Sequence, residues 1–225
     1  MKIKIDYLDN MLEINNDSIL CLEIENKRYF YRIIENLYGV ANIEPSDEVI
    51  AYDNNGKEIN ISSKIKIFIN FFNFDFDSKR YSTDINKYII GQLEETDKTN
   101  LLKSYNRLID TFLKILNKSD LPLQIMEEIT IENIIKNLKL SISPKNDLLN
   151  NLLLLIELER VLKTNNLLIF INLKQYLSDE ELNELYKYAL YNSINLLMID
   201  SQCYKNMNEY EKKLIIDSNL DEFVV

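Results

Sequence analysis

Apolar and polar residues alternate through residues 2–7, the period of two expected of a half-buried strand. The run Ile19–Ile24 reads as a second strand. The period then changes. Tyr29, Phe30, Ile33, Ile34 and Leu37 recur at helical spacing and predict an amphipathic helix over residues 27–37. Further on, 49–52 and 57–59 flank Asp53-Asn54-Asn55-Gly56, a hairpin signal, because the Asn-Gly pair tolerates the positive φ of a tight turn. Residues 64–72, aromatic and β-branched, predict another strand.

From residue 80 to 165 the helical period dominates. Leu101, Leu102, Tyr105, Leu108, Ile109, Phe112 and Leu116 make one stripe. Pro122 interrupts it, since its ring cannot continue a helix interior. A shorter helix is predicted over 130–138, with Ile131, Ile134, Ile135 and Leu138 on its apolar face, and Pro144 marks the next break. The segment Leu148–Leu162 is apolar nearly all round, which predicts burial between other elements or across a subunit contact.

The C-terminal part returns to α/β. Leu167–Ile171 is a continuous apolar run, as in strands covered on both faces. Ser178 and Glu181 form a capping box that opens a helix to Asn192. A second buried strand, 196–199, ends at Asp200, so strand, helix and strand form a βαβ unit, and 222–225 could add a last strand. The pattern predicts an α/β head built from residues 1–80 and 167–225, with an α-helical leg, 81–166, inserted in the middle of the chain.

Composition narrows the chemistry. With three Gly and three Pro in 225 residues, neither a loop-rich all-β fold nor low-complexity disorder is expected. The balance of 26 Lys+Arg against 36 Asp+Glu gives a net charge of −10, so the chain as a whole does not advertise nucleic-acid binding. A solvated acidic surface accounts for that charge, although a basic stripe could still be concentrated on one face. Histidine is absent, which removes Ser-His-Asp and Cys-His catalysis. Two distant cysteines, Cys21 and Cys203, suit a reducing compartment. No apolar run approaches the about 18 residues of a membrane span, and the N-terminus does not read as a signal peptide. A cytoplasmic location with no membrane partner is expected.

Three groups of residues could carry function. The strand ending at Asp200 imitates the magnesium-binding strand of P-loop NTPases, but Gly39, Gly56 and Gly91 stand alone and form no phosphate-cradling loop. Asp120, Glu127, Glu128 and Glu132 could converge on a hard cation, Glu128 and Glu132 sharing a helix face if that helix begins early enough; equally, they could form a solvated face favoured by the helix dipole. The basic set comprises Lys27, Arg28, Arg32, Lys64, Lys66, Lys79, Arg80, Lys136, Lys139, Lys145 and Lys163. These side chains could pair with surface acids or face phosphates.

The succession of segments resembles the CRISPR-associated adaptation proteins of subtype II-A. The resemblance rests on the βαβ stretch from Leu167 through the Ser178 cap to Ile199, on Glu128-Ile129-Thr130-Ile131-Glu132 with Ile135-Lys136, and on the N-terminal order of strand, Leu8-Asp9 turn and apolar strand. It implies a P-loop-ATPase-like head without the Walker A loop, plus the helical leg. It further implies a non-enzymatic protein that binds double-stranded DNA ends without regard to sequence, as a homotetrameric ring, during spacer acquisition. Calcium is the implied cofactor, with Asp120, Glu128 and Glu132 as ligands. Lys136 and Lys163 match lysines of the family and are the implied DNA contacts. The CRISPR integrase and effector proteins are the implied partners. Pro122 departs from the family, which carries acidic residues there. Two other readings stand beside this one: a degenerate NTPase-like domain that still binds nucleotide, and an acidic structural interaction protein without a nucleic-acid partner.

Overall fold

The structure, a computed structural model, describes residues 1–42, 48–62, 64–76, 79–125, 130–164 and 167–225, without the side chain of Arg80. The elements are β1 (Lys2–Ile5), β2 (Leu12–Glu13), β3 (Ile19–Ile24), α1 (Lys27–Ala41), β4 (Val49–Tyr52), β5 (Glu58–Ile59) and β6 (Ile65–Phe68). Next come α2 (Lys79–Gln92), α3 (Glu95–Leu116), α4 (Ile131–Asn137) and α5 (Leu148–Leu162). The chain closes with β7 (Leu167–Ile171), a 3-10 turn (Leu173–Gln175), α6 (Asp179–Tyr191), β8 (Asn195–Asp200), β9 (Glu211–Ile216) and β10 (Glu222–Val224). The class is mixed α/β, as the periodicities predict. No helix among the described residues is long and apolar enough to cross a membrane.

Contacts divide the chain into two compact units, residues 1–74 with 145–225, and residues 75–144. In the first unit a six-stranded sheet runs in the order β10-β9-β3-β8-β7-β6. The four pairings among β9, β3, β8, β7 and β6 are parallel, and β10 closes one edge antiparallel to β9. Such a sheet buries both faces, which is why β7 is apolar at every position and buried throughout. The register aligns Leu22 with Ile199 and Leu214, and Ile171 with Ile199. Those residues belong to one apolar cluster that also takes Ile33, Leu37 and Val40 from α1. The same cluster takes Ile3, Ile5, Val49 and Ala51 from a smaller antiparallel sheet, order β2-β1-β4-β5. Each fully buried Leu or Ile contributes about 1.5–3 kcal/mol, so this layer is the main source of the unit's stability.

Strand alternation puts the intervening residues on the opposite face: Lys66, Phe170, Met198, Asp200, Cys21, Glu23, Glu211 and Lys213. That face lies on the side where α5 and α6 pack together. Helix α6 begins as its sequence predicts: the Ser178 hydroxyl accepts from the Glu181 amide at 3.2 Å, and Glu181 accepts from the Ser178 amide at 2.8 Å. The hairpin is also as predicted. Ala51 pairs with Ile59, and Gly56 sits at φ +77°, where a β-carbon would be strained.

Two sequence expectations need correction. The strand expected over 64–72 ends at Phe68, because the Asn70 carboxamide accepts from the Phe72 amide at 2.9 Å and bends the backbone. Strand β9 was hidden by its Glu-Lys-Lys opening, a polar pattern that does not announce a buried strand.

The second unit holds α2, α3 and α4, with α4 in contact with both of the others. Tyr81, Ile134 and Ile135 are buried there.

Candidate functional site

β8 and β9 lie on either side of β3, so the chain must step over β3 to join them. Parallel strands are ordinarily joined by a helical crossover of a dozen or more residues. Here the link is residues 201–210, and it contains no helix. Backbone groups in such a link need partners from elsewhere. Buried charges beneath it provide them. The Lys213 ammonium donates to the carbonyls of Tyr204 at 2.9 Å and Asn206 at 3.1 Å. Glu23 accepts from the Tyr204 amide at 3.0 Å. At the start of the link, the Asn172 side chain accepts from the Ser201 amide at 2.8 Å and from its hydroxyl at 2.9 Å. Asn172 is itself left-handed, φ +57°, a conformation Asn tolerates.

These fasteners belong to one buried cluster. Lys174, on the 3-10 turn, bridges Glu23 at 3.2 Å and Glu211 at 2.8 Å. Lys213 lies 2.9 Å from Glu23 and 3.7 Å from Glu211. Tyr186 of α6 donates to Glu211 at 2.9 Å. Asp200 is 1% exposed, yet neither of its carboxylate oxygens has a hydrogen-bond partner, and neither does the buried hydroxyl of Tyr204. A cavity of about 320 Å³ adjoins the cluster, lined by Lys174, Leu182, Tyr204, Asn206, Asn208 and Glu211.

The electrostatics follow from burial and charge count. Burial pushes the Asp200 carboxyl up to about 7; Lys174 pulls it down, while Glu23 and Glu211 push it further up. For Lys174 burial alone would lower the pKa, but neighbouring acidic groups, Cys21 and Glu211 first, turn the net shift upward. Glu211 is pushed up by burial, but Lys174, Tyr186 and Lys213 outweigh that and hold it low. Burial raises the Cys21 thiol well above its ordinary value, so it is not a thiolate nucleophile. Chemically, the arrangement stores and balances charge and fastens a loop.

Residues singled out from the sequence fall mostly elsewhere. Asp120 is exposed in the turn after α3. Glu132 is exposed in the first turn of α4, behind Thr130, whose hydroxyl caps the helix by accepting from Asn133 at 3.1 Å. Because α4 starts at Ile131, Glu132 stands at its head, while Glu127 and Glu128 lie outside the described residues. Among the described residues no group of three or more acids, cysteines or histidines is placed to hold a metal. Lys136 is exposed in the last turn of α4, and Lys163 is exposed at the left-handed end of α5. The two belong to different compact units. Lys27, Arg28, Arg32, Lys64, Lys79, Lys139 and Lys145 are exposed as well.

Lys66 is the exception and corrects the reading of a surface cation. It is 8% exposed and pairs with the fully buried Glu159 of α5. Helix α5 therefore buries a face carrying Leu152, Leu155 and Ile156 together with Glu159. Helix α3 is different again. It spans 22 residues with a clear apolar stripe, yet none of them is buried. Leu108, Phe112 and Ile115 are each at least half exposed.

The family model for CRISPR-associated protein (Cas_Csn2) matches residues 43–220 of the chain. A curated protein from Enterococcus faecalis, named CRISPR-associated protein Csn2, is 22% identical over 225 residues, covering 97% of this chain and 96% of that protein.

Proposed function

This chain belongs to the Csn2 family of CRISPR-associated proteins, and on that premise we propose that it serves spacer acquisition as a non-enzymatic protein that encircles double-stranded DNA ends. The family match over residues 43–220 is the observation that carries the proposal. Its head is a P-loop-ATPase-like sheet that has lost the phosphate cradle, and its leg is helical. In support, parallel strands β9, β3, β8, β7 and β6 stand side by side, with α1 packed on one face and α6 on the other. Only Glu25 and Asn26 link β3 to α1, and Asn26 caps the helix by accepting from Arg28 and Tyr29. A Gly-rich loop would need to sit at such a junction. Asp200 is buried among lysines and acids, which disfavours the alternative of a magnesium-nucleotide site.

The ring is a homotetramer. The bare stripe of α3 supports assembly, because exposed apolar surface of that kind marks an interface. Lys136 and Lys163 contact phosphates, and sequence plays no part in the recognition. Calcium stabilises the assembly through the oxygen donors of Asp120, Glu128 and Glu132. The exposed carboxylates of Asp120 and Glu132 suit a hard cation, and Glu128 completes the set. The integrase and effector proteins of the same system are its partners, and it works in the cytoplasm.

A gel shift with linear duplex in calcium, repeated at rising salt, tests the proposal. Affinity falling steeply with salt, with no preference among duplex sequences, is the expected result. Absence of binding at low salt in calcium would overturn it.

A further inference from the structure

We propose that the 201–210 crossover is a proton-latched flap, fastened while Asp200 carries a proton and loosened when Asp200 ionises. Charge counting on the buried face is the starting point. Glu23, Glu211 and Asp200 supply three acids there, against the two ammonium groups of Lys174 and Lys213. With Asp200 protonated the cluster is neutral. With Asp200 ionised it carries one uncompensated negative charge on a buried face, which is unfavourable.

Hydrogen-bond capacity then decides where the strain goes. An ammonium has three donors. Those of Lys213 are engaged at close range by the carbonyls of Tyr204 and Asn206 and by Glu23. Lys174 is engaged by Glu23 and Glu211. Among the described residues, the other groups facing Asp200 are Tyr204 from the crossover, Tyr186 from α6 and Cys21 from β3, none of them cationic. An ionised Asp200 therefore competes with Glu23 and Glu211 for these two ammonium groups. The bonds of Lys213 to Tyr204 and Asn206 are among those that hold the crossover. Tyr204 also lines the adjoining cavity of about 320 Å³, so release of the crossover widens that cavity.

Hydrogen exchange of the full chain at pH 5 and pH 8, corrected for intrinsic exchange, tests this. Strand β7 provides the reference. In the wild-type chain, opening of 201–210 relative to β7 is expected to rise by roughly 10- to 100-fold between the two pH values, since a raised acid pKa gives stability that is lost as pH climbs. In Asp200→Asn, which keeps the shape without the ionisation, the ratio should stay flat. A flat ratio in wild type, or an equal rise in the variant, overturns the proposal. If the variant does not fold, carboxylate carbon NMR of the wild-type chain decides. A titration midpoint for Asp200 near neutrality supports the latch, and one below about 5 overturns it.

Discussion

Replacing Lys213 by Met removes one ammonium from the buried cluster while keeping most of the side-chain volume. Four contacts go with it: the ion pairs to Glu23 at 2.9 Å and Glu211 at 3.7 Å, and the bonds to the carbonyls of Tyr204 and Asn206. Removing one partner from a buried charge pair costs about 3–5 kcal/mol, because the other charge is left uncompensated. Each carbonyl left without a donor costs about 1–3 kcal/mol unless water replaces the amine. The terms overlap, so the expected loss is about 4 kcal/mol, a large share of the 5–15 kcal/mol typical of a folded domain. Urea unfolding followed by circular dichroism measures it, with an unchanged m-value showing that the comparison is sound. A control separates charge balance from packing. Glu23→Gln added to Lys213→Met removes the stranded acid, so the double variant should lose at least about 1 kcal/mol less than the two single losses summed. A loss under about 1 kcal/mol for Lys213→Met, or strict additivity in the pair, would refute the reasoning.

Other expectations follow from the same structure. For Asp200 the folded pKa of about 7 exceeds an unfolded value of about 4, so its stabilisation is complete below pH 4 and is lost as pH rises through 7. The stability difference between the wild-type chain and Asp200→Asn should therefore swing by up to about 4 kcal/mol across that range in urea titrations, the variant gaining relative to wild type as pH rises. Lys136→Glu and Lys163→Glu should each weaken duplex binding uniformly across sequences and reduce the salt slope by about 1 or more, read by fluorescence anisotropy. Asp120→Ala, Glu128→Ala and Glu132→Ala should each lower calcium affinity in calorimetry and reduce the fraction of chain at four times the chain mass in light scattering with calcium.

Much of the larger unit was legible because its cues are local. The runs Ile19–Ile24 and Leu167–Ile171 are continuous and apolar, and Ser178 with Glu181 announces α6. The hairpin around Gly56 is a short-range signal of the same kind. The buried cluster was not legible, because its logic is long-range. Lys174 and Glu23 stand 151 positions apart in the chain and meet only once β3 and the 3-10 turn are assembled. By pattern alone Glu211 and Lys213 look solvated, and Lys66 looks like a surface cation; each is buried beside an opposite charge distant in the chain, Lys174, Glu23 and Glu159 respectively. A faint signal did exist: Glu23 interrupts an otherwise apolar strand bounded by buried neighbours. Asp200 drew attention as a strand-end acid, and it matters in the structure as the third acid among two lysines. Of the acidic run, Glu132 stands in the first turn of α4, while Glu128 lies outside the described residues.

The most direct test of the central claim compares a linear duplex with the same duplex closed into a covalent circle, both in calcium and at one salt concentration. A ring that threads over DNA ends binds the linear form and leaves the closed form unbound, and cutting the circle once restores binding. Equal affinity for both forms would contradict encirclement at ends.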